Sequence, residues 1–236
     1  MVATKASLSK SITKDLTNYN SQNSFGSRLR AKRISPLLGL IESVFQEHGC
    51  VNIIDIGGTE TYWNIVPQHY FNDYNVRITI VNVPDGTDSP SDHGRFTFVK
   101  ADGCDLANFE TDTFHIAHSN SVVEHVGDWK RMVQFSTELK RVAQKYFVQT
   151  PNYWFPIEPH CMTPLFHWFP KPVRVWLVMK FELGHWPKAT SVNMAMRMVE
   201  RINLLDKNMF YELFHDARIN TEKLLFIPKS FVAIKE

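Results

Sequence analysis

Short apolar runs rich in β-branched residues alternate along this chain with stretches whose apolar positions recur every three to four residues. Five runs stand out: VNIIDIG (51–57), VRITIVNV (76–83), RFTFVKADG (95–103), FHIAHSNS (114–121) and KYFVQTPN (145–152). Their near-continuous apolar character predicts strands of a parallel sheet covered by helices on both faces. Ahead of them, SPLLGLIESVFQEH (35–48) places Leu37, Leu38, Ile41, Val44 and Phe45 on one helical face. Ser35 reads as its N-cap, Pro36 as its first helical position and Gly49 as its stop. VVEHVGDWKRMVQFSTELKRVAQ (122–144) has helical spacing, and so does a segment from about Met194 to His215. The chain finishes with EKLLFI, a Pro-Lys-Ser turn and FVAIKE. That is a hairpin whose last strand would run antiparallel to the rest. The fold class is α/β.

One stretch fits neither pattern. PNYWFPIEPHCMTPLFHWFPKP (151–172) holds six prolines, six aromatics and two histidines. It predicts a lid of short irregular pieces, extending over about 151–190, at the ligand-binding face of the sheet. Tyr153, Trp154, Glu158 and His160 are its candidate substrate contacts. Glu158 and His160 are two apart, on one side of an extended chain, and form a possible acid–base pair. Glu158, His160 and His167 follow no recognised ligand spacing, so no metal is expected.

Charge and cysteines narrow the setting. Up to Arg33 the basic residues are Lys5, Lys10, Lys14, Arg28, Arg30, Lys32 and Arg33, against Asp15 alone, in a chain of net charge +2. Residues 1–33 therefore read as a basic, partly mobile arm ahead of one domain at 34–236. The slightly acidic remainder does not suit a nucleic-acid-binding face, although the arm itself could dock RNA or a carrier protein. Cys50, Cys104 and Cys161 are odd in number and far apart, which fits a reducing, cytoplasmic protein rather than a disulfide framework. No apolar run is long enough to span a membrane.

The chemistry begins at the end of the first strand. Gly57 and Gly58 allow a tight turn and close backbone approach to a ligand, and Asp55 can orient that turn. A dinucleotide site needs G-x-G-x-x-G over a helix N-terminus. The chain has G-G-T-E-T-Y, with Glu60 facing any pyrophosphate. A cofactor with a positive centre and no phosphates suits this loop better.

IIDIGGT, ITIVNV, VKADGCDL, FHIAHSNSVVEHV and YFVQTPN, taken in order, resemble a class I S-adenosylmethionine-dependent methyltransferase of the small bacterial type, over roughly Arg28 to Lys235. The resemblance implies a Rossmann-like three-layer sandwich with a seven-stranded sheet of order 3-2-1-4-5-7-6, strand seven antiparallel. It implies S-adenosylmethionine as cofactor. Gly57 and Gly58 would pass under its methionine part, Asn82 would face the ribose, and Asp102 with Gly103 would meet the adenine. Ser119 and Asn120 would border the methyl-donor pocket. Thr59 and Thr61 stand where the family's later glycines do, and Asn82 replaces its usual acid.

The activity implied is methyl transfer to a small-molecule or glycan-like acceptor. His125 and His160 are the candidate general bases, since a histidine titrates near neutral pH. Glu124 reads as a carboxylate at a helix N-terminus. The competing readings are a methyltransferase-like binding module without turnover and a nucleotide-dependent oxidoreductase.

Overall fold

In the computed structural model, residues 25–84 and 91–236 are described, with side chains from Arg33 onward. Residues 1–24 of the arm, and its side chains before Arg33, lie outside the described residues. Helix α1 (Phe25–His48) leads into β1 (Val51–Ile56), a 3-10 turn at Glu60–Ile65, and the short α2 (Gln68–Asp73). Strands β2 (Val76–Asn82), β3 (Phe96–Lys100) and β4 (Phe114–Asn120) follow, then α3 (Trp129–Val142) and β5 (Ala143–Pro151). The small pair β6 (Ile157–Glu158) and β7 (Thr163–Pro164) precedes α4 (Lys171–Lys180), α5 (Val192–Glu200) and α6 (Lys207–Leu213). β8 (Arg218–Leu224) and β9 (Ile227–Lys235) end the chain.

The main sheet has seven strands in the order β3-β2-β1-β4-β5-β9-β8. β1 to β5 pair in parallel, and β9 runs antiparallel to both β5 and β8. This is the order the family resemblance implies. Successive residues of each strand serve opposite faces. Val51 and Ile53 pack against Leu37, Ile41 and Val44 of α1, whereas Ile54 and Ile56 pack against Phe135 and Leu139 of α3. A strand buried on both sides needs apolar residues at nearly every position, which is why β1, β4 and β5 read as continuous runs. A separate small core holds Cys161, Phe166, Val178, Ala195 and Val199 in the segment after β5.

Four boundaries differ from the sequence expectation. Helix α1 starts at Phe25, so Pro36 lies inside it rather than at its first position, and Ser35 is no N-cap. The proline withholds one backbone hydrogen bond, and burial of Ile34, Leu37 and Leu40 offsets that loss. The 122–144 segment is helical only from Trp129, after a 3-10 turn at Val123–His125; Asp128 caps α3 by accepting from the Arg131 N–H. The segment from Met194 to His215 is two helices, because Asp206 caps a new start at α6. The final turn falls on Leu225 and Phe226, at φ 49° and 71°, rather than on Pro-Lys-Ser. Two consecutive left-handed residues make the tight hairpin turn that matches strand twist. Pro228 then pairs with Lys223 beside a register shift in the ladder. Among the described residues, no helix is long and apolar enough to cross a membrane.

Candidate active site

Strand order reverses direction at β1, which has β2 on one side and β4 on the other. In open α/β sheets such a switch point leaves a crevice beyond the carboxyl ends of the strands. A cavity of about 260 Å³ lies there, lined by Asp55, Gly57, Gly58, Thr59, Thr61, Tyr62, His118, Asn120 and Ser121. Gly57 has φ 75°, and a Cβ on it would stand 2.5 Å from Val122 Cγ2. A Cβ on Gly58 would stand 1.8 Å from Asp55 Oδ2. Both glycines are therefore sterically required.

Beneath the turn is a buried polar network. The Asp55 carboxylate accepts from His118 Nδ1 at 2.7 Å and from Trp63 Nε1 at 2.8 Å. His118 Nε2 lies 3.1 Å from the Tyr62 hydroxyl. Each Asp55 oxygen thus has a protein partner, and the side chain braces the glycine turn from below. His118 and Trp63 thus serve the turn from below, and the buried Trp63 presents no aromatic face to the cavity. Their signal in the sequence was a histidine amid the apolar fourth strand and a tryptophan close behind the glycines.

The other sequence candidates spread around this crevice. Asn82 donates from Nδ2 to the Gly58 carbonyl at 3.0 Å, which anchors the second strand's end to the turn. Asn120 lines the cavity, and its Oδ1 accepts from Arg33 at 3.3 Å. Ser119 is fully buried and donates to the Ile56 carbonyl, so its hydroxyl braces the sheet rather than facing the cavity. Asp102 accepts from the Cys104 N–H at 2.9 Å and from Arg131 at 2.5 Å. Partial burial raises its pKa, but these two donors outweigh that and leave it low. A Cβ on Gly103 would meet Ile56 Cγ2 at 2.7 Å, so that glycine serves close packing.

A larger cavity, about 620 Å³, lies under the aromatic segment. Tyr153 and Glu158 line it together with Phe166, Trp168, Phe169 and Arg174. Trp154 is 61% exposed and does not. The guanidinium Nε of Arg174 and Nδ1 of His167 are buried there without hydrogen-bond partners among the described residues. Burial lowers the pKa of both side chains. Arg174 is a polar anchor that the sequence reading did not single out.

His160 belongs to neither lining. Its Nδ1 lies 2.7 Å from Glu158 Oε1, while Glu158 Oε2 accepts from the His160 and Cys161 backbone N–H groups. These bonds hold Glu158 in its charged form against the opposing effect of burial. His125 is the last residue of its 3-10 turn, and its Nδ1 faces the Arg201 carbonyl at 3.1 Å. The two imidazoles meet edge to face, centroids 4.6 Å apart. Glu124, fully buried beside them, uses Oε2 to accept from Thr150. Burial pushes its carboxyl up to about 7 and the His125 imidazole down to about 4. Glu124 is thus in the first turn of its 3-10 helix, where the sequence places it, and is buried within this cluster.

No family model and no curated protein matches the chain. Solved structures do. One described as an O-methyltransferase family protein from Burkholderia thailandensis aligns with 87% of this chain at 12% identity and TM-score 0.46. The present chain spans 57% of that protein's length. SAM-dependent methyltransferases from Methanosarcina mazei (13% identity, 78% of this chain and 91% of that one) and Archaeoglobus fulgidus (10% identity, 84% and 94%) align at TM-score 0.47. With β9 antiparallel between β5 and β8, and a glycine turn at the switch point, the chain has the seven-stranded Rossmann-like sheet whose strand order the resemblance to class I methyltransferases implies.

Proposed function

We propose that the protein transfers a methyl group from S-adenosylmethionine to a small-molecule or glycan-like acceptor. The observation that carries this reading is the crevice at the switch point, where Gly57, Gly58 and Asn120 line one cavity and Asn82 braces its glycine turn. The cofactor supplies a sulfonium-bound methyl that an oxygen, nitrogen or carbon nucleophile displaces in line. The protein's part is alignment and exclusion of water. Asn82 has committed its amide N–H to the turn, which leaves its carbonyl oxygen to accept from a ribose hydroxyl. Asp102 and Gly103 form the adjacent corner at the end of β3.

The larger cavity supports a compact acceptor. Its volume lies within the range of small-molecule sites, and its walls are aromatic with a few polar groups. Tyr153 would stack on the acceptor and Arg174 would take an oxygen of it. At the cluster, His125 and His160 each commit Nδ1 as a donor, to a carbonyl and a carboxylate respectively. Each therefore carries its ring lone pair on Nε2, where it can accept from an acceptor group. A cytoplasmic location fits three cysteines that are all unpaired.

Calorimetric titration with S-adenosylmethionine, S-adenosylhomocysteine and NADH tests the reading. The first two should bind, and Asn82→Ala should weaken them roughly tenfold, the worth of one hydrogen bond. Binding of NADH alone would overturn methyl transfer in favour of hydride transfer. Silence from all three would leave a binding module on this fold.

A further inference from the structure

We propose that Glu124, His125 and His160 form a binding site for a divalent transition-metal ion of the zinc class. Among the described residues, these three bring one ligand atom each to within 4.8 Å of one another. His160 Nε2 is 3.9 Å from Glu124 Oε1. Bonds of about 2.0–2.2 Å to a tetrahedral ion place ligand atoms roughly 3.4 Å apart. Closure by up to about 1.4 Å, within the reach of side-chain torsions, completes the set.

Three features distinguish this cluster from an ordinary buried hydrogen-bond network. First, Glu124 is fully buried, and its Oε1 has no hydrogen-bond partner among the described residues. A carboxylate oxygen in that position is costly unless a cation meets it. Second, the tautomers are settled by the partners. The Arg201 carbonyl can only accept, so His125 Nδ1 must donate to it; the Glu158 carboxylate fixes His160 in the same way. Both imidazoles then carry the lone pair on Nε2. Third, every ligand is held by an outer partner: Thr150 holds Glu124, the Arg201 carbonyl holds His125 and Glu158 holds His160. Ligating histidines characteristically pass their other N–H to a carboxylate or carbonyl.

Two imidazoles and one carboxylate suit a borderline ion such as zinc, and three protein ligands leave a coordination position open. The site stands on these ligands alone. Its role rests on the methyl-transfer reading. An acceptor hydroxyl bound at the open position loses its proton to solvent, and its oxygen then attacks the methyl carbon. The carbon–sulfur bonding pair returns to sulfur as the thioether. In this arrangement neither imidazole acts as a free base, because the ion lowers the acceptor's pKa instead.

Tag-free full-length protein, stripped with chelator, is titrated with Co²⁺ and Zn²⁺, by calorimetry and by the visible absorption of bound Co²⁺. The expected result is one equivalent of Co²⁺ with a visible band, displaced by Zn²⁺. Glu124→Gln and His160→Ala should each weaken binding at least tenfold. Glu158→Gln, which touches no ion, should weaken it about 10–100-fold. His215→Ala, at an exposed site, should leave it unchanged. His160 is only partly buried, so His160→Ala keeps the test valid if Glu124→Gln fails to fold. Absence of stoichiometric binding, or unaltered binding in a His125→Ala, His160→Ala double variant, would overturn the site. Binding of S-adenosylmethionine is titrated separately without metal, so loss of either reading leaves the other measurable.

Discussion

Replacing Asp55 by alanine should be among the most damaging single changes in this protein. Asp55 is 0% exposed, and its two oxygens take the His118 Nδ1 and Trp63 Nε1 hydrogens at 2.7 and 2.8 Å. Alanine leaves both donors buried without an acceptor, at about 1–3 kcal/mol each. Breaking one half of a buried pair costs about 3–5 kcal/mol by a separate route. The two routes agree on a loss of roughly 3–5 kcal/mol. With a urea dependence of about 2–3 kcal/mol per molar, the unfolding midpoint should fall by about 1–2.5 M. Far-UV circular dichroism through a urea series measures this directly. The double variant Asp55→Leu, His118→Leu replaces most of the polar network with apolar volume, and should lose less than Asp55→Ala alone, since a matched apolar pair often equals a buried ionic one. A loss below about 1 kcal/mol for Asp55→Ala, or a double variant no better than the single, would refute the account of this network as an obligatory pair.

Three more outcomes are expected. Gly58→Ala would put a Cβ 1.8 Å from the Asp55 carboxylate, so Asp55 must shift; the melting temperature and S-adenosylmethionine affinity should fall together, and a change in neither would contradict the tight turn. Glu138 is held below its ordinary 4.5 by Arg141, which binds both its oxygens, and by the Leu106 N–H. Because the folded pKa is depressed, the stability it contributes is complete above about 4.5 and disappears as pH falls through the folded value. Glu138→Gln should therefore flatten the acid limb of a stability profile, and an unchanged limb would count against the pair. Burial pushes the Cys104 thiol up to about 11 and Cys161 up to about 12, while Cys50 is half-buried. A disulfide thiol reagent at pH 8 should label one cysteine in the native protein and three after unfolding; rapid labelling of all three would contradict the packing.

Much of the architecture was readable in the order of residues, and the reasons are local. β1, β2, β4 and β5 declare themselves because a strand covered on both faces has few positions left for polar side chains. The Gly57-Gly58 turn is visible because the steric demand at that point falls on two adjacent residues. Local signals also misled where burial outweighed them. Pro36 reads as a helix start, yet α1 continues through it because Ile34 and Leu37 are covered by the sheet. The Pro-Lys-Ser triplet reads as a turn, yet the hairpin reverses at Leu225 and Phe226, where pairing of β8 with β9 sets the register.

The candidate chemistry divides along the same line. Gly57 and Gly58 could be proposed from sequence because they end a recognisable strand of a parallel sheet, and Asn82 and Asn120 because the family resemblance implies ligand contacts at such strand ends. Ser119 could not be told from Asn120 that way; only the structure turns its hydroxyl into the sheet toward Ile56. The pairing of Asp102 with Arg131 likewise exists only in the fold, since the two are 29 residues apart. The meeting of Glu124 and His125 with His160 was invisible in the chain, as was the bracing of His160 by Glu158 and of His125 by Arg201. Hydrophobic periodicity records which face of an element is buried, and so it encodes the sheet. It carries no record of where a proline-rich loop folds back, because that depends on contacts between segments distant in sequence. The sequence by itself determined the layers and the crevice; the tertiary fold alone decided which distant titratable groups meet.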